Sequence, residues 1–168
     1  MSKIPVRTIV YLGVLTALEI VLSRFLSVNA WNLKIGFSFV PVAIAGMLFG
    51  PLAGGIVGAL GDFLGAILFP IGPYFPGFTL TAFLTGVVFG LFLRKKRTAL
   101  SVLGSVAVNQ LLLSLLLNTL WISVLYGSPY VPLLTTRVVQ CAILAPVQFV
   151  VLLLLGKALD KYERRLLP

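Results

Sequence analysis

Apolar residues fall in long runs along this chain, and the polar positions gather between the runs. A run of roughly 20 apolar residues is the length that spans the hydrocarbon core of a bilayer. The pattern predicts six helices, at about 5–23, 35–50 with an interruption at Pro41, 51–69, 78–93, 99–126 and 133–159. The fifth is long enough to be tilted. Breaks between them have their own chemistry. Gly50-Pro51 is a tight helix-to-helix turn, since Gly ends a helix well and Pro begins one well. Residues 70–77 hold three prolines and two glycines in eight positions and read as a loop. Arg94-Lys95-Lys96-Arg97 stops the fourth helix, and Gly127-Ser128-Pro129 breaks the fifth from the sixth. A short polar and aromatic segment, 24–34, joins the first two. The fold class expected is all-α: a polytopic membrane bundle of six helices forming one domain over 1–168.

Composition narrows the function. Of 168 residues, 60% are hydrophobic and 10% charged, with a mean hydropathy of +1.12. Soluble domains carry roughly 25% charged residues, so a large soluble domain, a second domain or an independent nucleotide-binding module is excluded. The first 25 residues have a basic start at Lys3 and Arg7 and then an apolar stretch. That stretch is longer than a signal-peptide core and lacks a small-x-small site, so it reads as a retained helix. The chain has one cysteine, Cys141, and no histidine, which removes an intrachain disulfide, a usual soft-metal site and the commonest general base. Gly156-Lys157 is followed by Ala158, so no phosphate-binding loop forms. Asp160 and Glu163 sit among Lys161, Arg164 and Arg165 as a solvated face. No enzyme, metal or cofactor is expected.

Net charge is +9, from 13 Lys and Arg against four acids. The basic residues lie at the ends of apolar runs without aromatic interleaving, which argues for topology and against nucleic acid. Six spans put Lys3, Arg7, residues 94–97, Lys157, Lys161, Arg164 and Arg165 on one side. Cytoplasmic loops collect Lys and Arg, so both termini are expected in the cytoplasm. Arg24, Lys34 and Arg137 fall on the other side, against that rule, together with Trp31, Tyr74, Phe75, Tyr126 and Tyr130. Tyr126 and Tyr130 fit an ordinary interfacial belt equally well. Three cations beside an aromatic Pro-Gly loop fit an outward-facing pocket for a flat, anionic ligand: arginine grips carboxylates bidentately and a ring covers a planar heterocycle.

Small residues recur at four-residue spacing: Gly13/Ala17, Gly46/Gly50, Gly54/Gly58 and Gly86/Gly90. In lipid such pairs let helix backbones approach closely. Internal packing accounts for those on the second to fourth helices, while the first helix fits either packing or docking of a partner. Glu19 and Asp62 are acids inside spans and require partners there; Arg24 or Arg137 is within reach of both. An ion pair or a ligand contact fits Asp62, and an ion pair fits Glu19. Helices 5 and 6 carry Asn109, Gln110, Ser114, Asn118, Thr119, Trp121, Gln140 and Gln148. Of these Asn118, Trp121 and Gln140 fall in the outer half, near the pocket.

Gly50-Pro51, the small-residue helix leading to Gly61-Asp62, and Pro70-x-Gly72-x-Tyr74-Phe75-Pro76-Gly77-Phe78-Thr79-x-x-Ala82-x-x-x-Gly86 together resemble the substrate-binding S components of energy-coupling factor (ECF) vitamin transporters, and among them the folate group. The resemblance is strongest over residues 10–97. It implies six helices, cytoplasmic termini, and a vitamin pocket near the outer surface closed by the loops after helices 1, 3 and 5. It implies a prokaryotic plasma membrane, partnership with a transmembrane coupling protein and two ATPases, and delivery by toppling of the S component. Gly13 and Ala17 stand where the family's small-x-x-x-small motif docks the coupling protein, Gly13 replacing the commoner alanine. The ligand-binding residues expected are Arg24, Trp31, Lys34, Asp62, Tyr74, Phe75, Asn118, Trp121, Arg137 and Gln140. The alternatives are an S component for another pterin-like or deazapurine precursor, a self-sufficient proton-coupled carrier using Asp62 and Glu19, and a structural membrane subunit.

Overall fold

The structure, a computed structural model, describes residues 5–30 and 33–166, with side chains outside 29–34 and 163–166. It is nearly all helical. The helices are α1 (Val6–Arg24), α2 (Phe39–Phe49), α3 (Pro51–Leu68), α4 (Pro76–Leu93), α5 (Ala99–Tyr126) and α6 (Tyr130–Leu166). Between α1 and α2 two short strands, β1 (Val28–Ala30) and β2 (Leu33–Ile35), pair antiparallel with Val28 opposite Ile35.

All the helices but α2 are long and apolar enough to cross a membrane. The expected second span over 35–50 is corrected. β2 takes residues 33–35, Gly36 backs onto Ser27, and α2 begins only at Phe39. Its 11 residues rise about 16 Å, half of a ~30 Å hydrocarbon core. Nor does Pro41 interrupt it: the proline lies in the first turn, where an N–H has no intrahelical partner to lose. α2 is instead the packed centre. Phe39, Val42, Ala43, Ala45 and Met47 are buried in one cluster with Val57, Phe89, Leu93, Val102, Val106 and Leu152 from α3 to α6.

Proline also sets other starts. Pro51 and Pro76 open α3 and α4, so α4 begins two residues before the expected 78. Pro132 sits in the first turn of α6, which runs 37 residues where 133–159 was expected. Gly127 ends α5 at φ +64°, a left-handed conformation that glycine adopts without a Cβ penalty.

α4 packs backbone to backbone against both α3 and α2. A Cβ on Gly54 would lie 2.6 Å from the Gly86 carbonyl oxygen, and one on Gly46 would lie 2.8 Å from the Gly90 nitrogen. This close approach is what small residues permit between helices in lipid, as expected for the second to fourth helices. At the far end of the bundle, Arg97 donates to the Asp160 carboxylate and to the Met47 carbonyl at 3.2 Å. The 94–97 turn is thereby fastened to α6 and to the end of α2.

Candidate ligand-binding cavity

At the opposite end the helices splay around a cavity of about 510 Å³ lined by residues from all six. That volume lies within the range of sites that enclose a small molecule, roughly 300–1,000 Å³. Its mouth is formed by Tyr74 and Phe75 of the 70–77 loop with Tyr126 at the end of α5. Its floor is formed by Asn109, Gln110 and Gln148. Residues from Asn109 to Tyr126 line one wall, about 20–25 Å along the helix axis. The cavity is elongated along the bundle.

Near the mouth the polar groups form a chain. Arg24, at the last turn of α1, donates from Nη2 to the Asp62 carbonyl oxygen at 3.2 Å and lies 3.7 Å from the Asp62 carboxylate. The other carboxylate oxygen accepts from Thr79 Oγ1 at 2.8 Å. Thr79 in turn shares a hydrogen bond of 3.2 Å with the Tyr74 hydroxyl, and the Tyr74 ring meets Phe63 edge-on at 5.8 Å. One acid therefore connects α1, α3, α4 and the loop. Glu19, which also lines the cavity, packs against Gly61 so closely that a Cβ there would overlap its carboxylate.

Deeper in, the walls are amides. Arg137 is 4% exposed and donates from Nη2 to the Ser114 carbonyl oxygen at 3.1 Å. The Cys141 thiol donates to the Gln110 carbonyl oxygen at 3.5 Å, joining α6 to α5. Asn109, Gln110 and Gln148 are buried. Both polar atoms of the Asn109 side chain, and the side-chain oxygens of Gln110, Asn118 and Gln148, make no hydrogen bond within the described residues. Buried polar atoms are ordinarily paired. Four amides with open hydrogen-bonding atoms, acceptors on all four and a donor on Asn109, therefore face one cavity.

The local winding brings them together. From Val108 to Leu117, α5 is a π-helix. Its i→i+5 bonding turns more slowly than an α-helix, so residues four and five apart share a face. Asn109, Ser114 and Asn118 thus line the same wall; at 3.6 residues per turn Asn109 and Ser114 would diverge.

Of the residues singled out from sequence, Arg24, Asp62, Tyr74, Phe75, Asn118, Arg137 and Gln140 line the cavity. Trp121 stands behind its wall, donating from Nε1 to Thr81 Oγ1 at 3.0 Å with its ring 5.6 Å from Phe75. Trp31 lies outside the described residues, and Lys34 is described as backbone of β2. Gly13 and Ala17 are exposed on α1, with nothing within 4 Å of a Cβ on Gly13. Asn109, Gln110 and Gln148 also line the cavity, and are not among the ligand contacts expected from sequence. Among the described residues no group of three or more His, Cys, Asp or Glu side chains gathers as for a metal ion.

A family model described as the substrate-specific component of ECF transporters matches residues 7–156. The chain belongs to this family. Two relatives named folate transporter FolT share its length. The one from Clostridium novyi (strain NT) is 43% identical over 159 residues, 94% of this chain and 92% of that protein. The one from Leuconostoc mesenteroides subsp. mesenteroides is 31% identical over 153 residues, covering 87% and 82%. A crystal structure of FolT bound with folic acid matches this S component with a TM-score of 0.87 at 37% identity, over 92% of this chain and 95% of that one. The S component of another bacterial ECF transporter shares the fold at a TM-score of 0.54 and 23% identity, over 96% and 97%. The chain is thus a membrane-spanning component of a transporter family, as the 70–86 string indicated.

Proposed function

We propose that this S component binds folate and hands it to an ECF module made of a transmembrane coupling protein and two ATPases. One observation carries the reading: four amides with buried, open hydrogen-bonding atoms, Asn109, Gln110, Asn118 and Gln148, share an elongated cavity with two arginines, Arg24 and Arg137. A pterin is flat and rich in edge donors and acceptors, which amides match. A glutamate tail brings two carboxylates, which arginine binds through charge-assisted bonds. The length of the cavity accommodates both ends of such a molecule. The names of the two relatives and of the folic-acid complex agree with this. Tyr74, Phe75, Asn118 and Gln140 complete the wall, Trp121 supports it through Phe75, and Trp31 and Lys34 are further ligand contacts that the sequence suggests. Gly13 and Ala17 present the docking stripe of α1 to the coupling protein, and the whole sits in the plasma membrane with both ends in the cytoplasm.

Asp62 is engaged with Arg24 and Thr79, an arrangement that occupies its carboxylate and does not suit proton carriage. Titrating the purified protein with folic acid, riboflavin, thiamine and biotin tests the proposal. Saturable binding of folic acid, at least a hundredfold tighter than the other vitamins, is expected; equal or absent binding of folic acid refutes it.

A further inference from the structure

Arg24 is held in a way that leaves its guanidinium only half used. Its position is set by main chain: Nη2 bonds the Asp62 carbonyl oxygen at 3.2 Å, and a Cβ on Gly65 would lie 2.8 Å from Nε, so the side chain rests on a glycine shelf of α3. Nε is buried and makes no hydrogen bond within the described residues. The Asp62 carboxylate stands 3.7 Å away, well beyond the roughly 2.7–2.9 Å of a tight charge-assisted bond. Its second oxygen is drawn towards α4 by Thr79 at 2.8 Å. Asp62 therefore supplies a negative charge without closing on the arginine.

We propose that Asp62 is a resident counter-ion for Arg24, which a ligand carboxylate displaces in function but not in position. In the empty cavity the acid offsets a cation whose side chain is only 10% exposed; an uncompensated charge at that depth would be costly. When ligand enters, two anions share one guanidinium. Asp62 then lowers affinity for the carboxylate end and hastens its departure, while the deep amide wall is untouched. The acid is a specificity-determining residue: it sets how strongly the negative charge of the ligand counts towards binding. This rests on the folate reading, and the test separates the two.

The experiment compares folic acid with its bis-amide, in which both glutamate carboxylates are uncharged, on the purified full chain and on Asp62→Asn. Asparagine keeps the size and still accepts from Thr79. The expected result is a rise of about three- to ten-fold in the preference for folic acid over the bis-amide, carried by slower dissociation. A preference that is unchanged, or that falls because Asp62 in fact holds Arg24 in place, overturns the inference. Failure of the unmodified protein to bind folic acid would instead overturn the folate reading. If Asp62→Asn does not purify as a monodisperse protein, Asp62→Ser is measured by the same ratio.

Discussion

Asn109 is 4% exposed, and neither its amide nitrogen nor its oxygen has a partner among the described residues. Leaving such a group buried and unpaired costs about 1–3 kcal/mol, a cost that brings no stability to the empty protein. Replacing it should therefore move stability and binding in opposite directions. Asn109→Leu is expected to raise the melting temperature of the ligand-free protein by a few degrees, since its ΔΔG is of that size, and to weaken folic acid binding at least tenfold. A melting temperature that falls together with binding would make Asn109 a structural amide. The arginines, the aromatic loop and Asp62 were legible from sequence because each breaks a rule: a cation at the end away from the basic loops, an acid in a span, prolines beside rings. Asn109 and Gln110 break none. A wheel drawn at 3.6 residues per turn separates Asn109 from Ser114, and only the π-helical winding of Val108–Leu117 aligns them. Its i→i+5 pattern has no signature in a run of Leu, Asn, Gln and Ser.

At the scale of the helix, one residue type serves two ends. Gly86 and Gly13 are both helical glycines, but a Cβ on Gly86 would overlap the main chain of Gly54, whereas one on Gly13 meets nothing within 4 Å. Gly86→Val must force α3 and α4 apart, and overpacking of this kind costs about 1–3 kcal/mol or more. Loss of the monodisperse peak in size-exclusion chromatography is expected. Gly13→Leu should keep that peak and the affinity for folic acid, yet reduce folate uptake in cells that contain the coupling module. Full uptake by Gly13→Leu would remove the docking role from α1; lost binding would mean that the face packs internally. The spacing of glycines made the α3–α4 contact legible, because a backbone contact needs only small residues in register. The end of the second helix was legible from Gly50-Pro51, and its start was not. The strands at Val28–Ala30 and Leu33–Ile35 are three residues each, too short to show a period, and apolar Ile35 continued the run into α2.

For the molecule as a whole, the two ends of the bundle differ in kind. One end carries the cavity mouth, where Arg24, Asp62 and Tyr74 converge. The other carries the basic turn 94–97, fastened by Arg97 to Met47 and Asp160. The shortness of α2 does not disturb this polarity. Ser38, just before it, lines the cavity, and Gly50, just after it, lies against Arg94, so the chain still passes from mouth end to basic end. On the rule that basic loops remain in the cytoplasm, the excess of Lys and Arg predicts that the mouth end faces the outside. α6 agrees: its 37 residues rise about 55 Å against a core of ~30 Å, and its surplus carries Lys157 and Lys161. Single cysteines in a Cys141→Ser background make the orientation measurable, because serine keeps the donor to the Gln110 carbonyl. Pro73→Cys, on the exposed loop, should react in intact cells with a maleimide that cannot cross the membrane. Lys96→Cys, on the exposed basic turn, should react only after the cells are opened. Folic acid should slow the first reaction and leave the second unchanged, since only residue 73 lines the cavity. Labelling of residue 96 in intact cells would invert the molecule, and a cavity facing the cytoplasm could not gather a vitamin from outside.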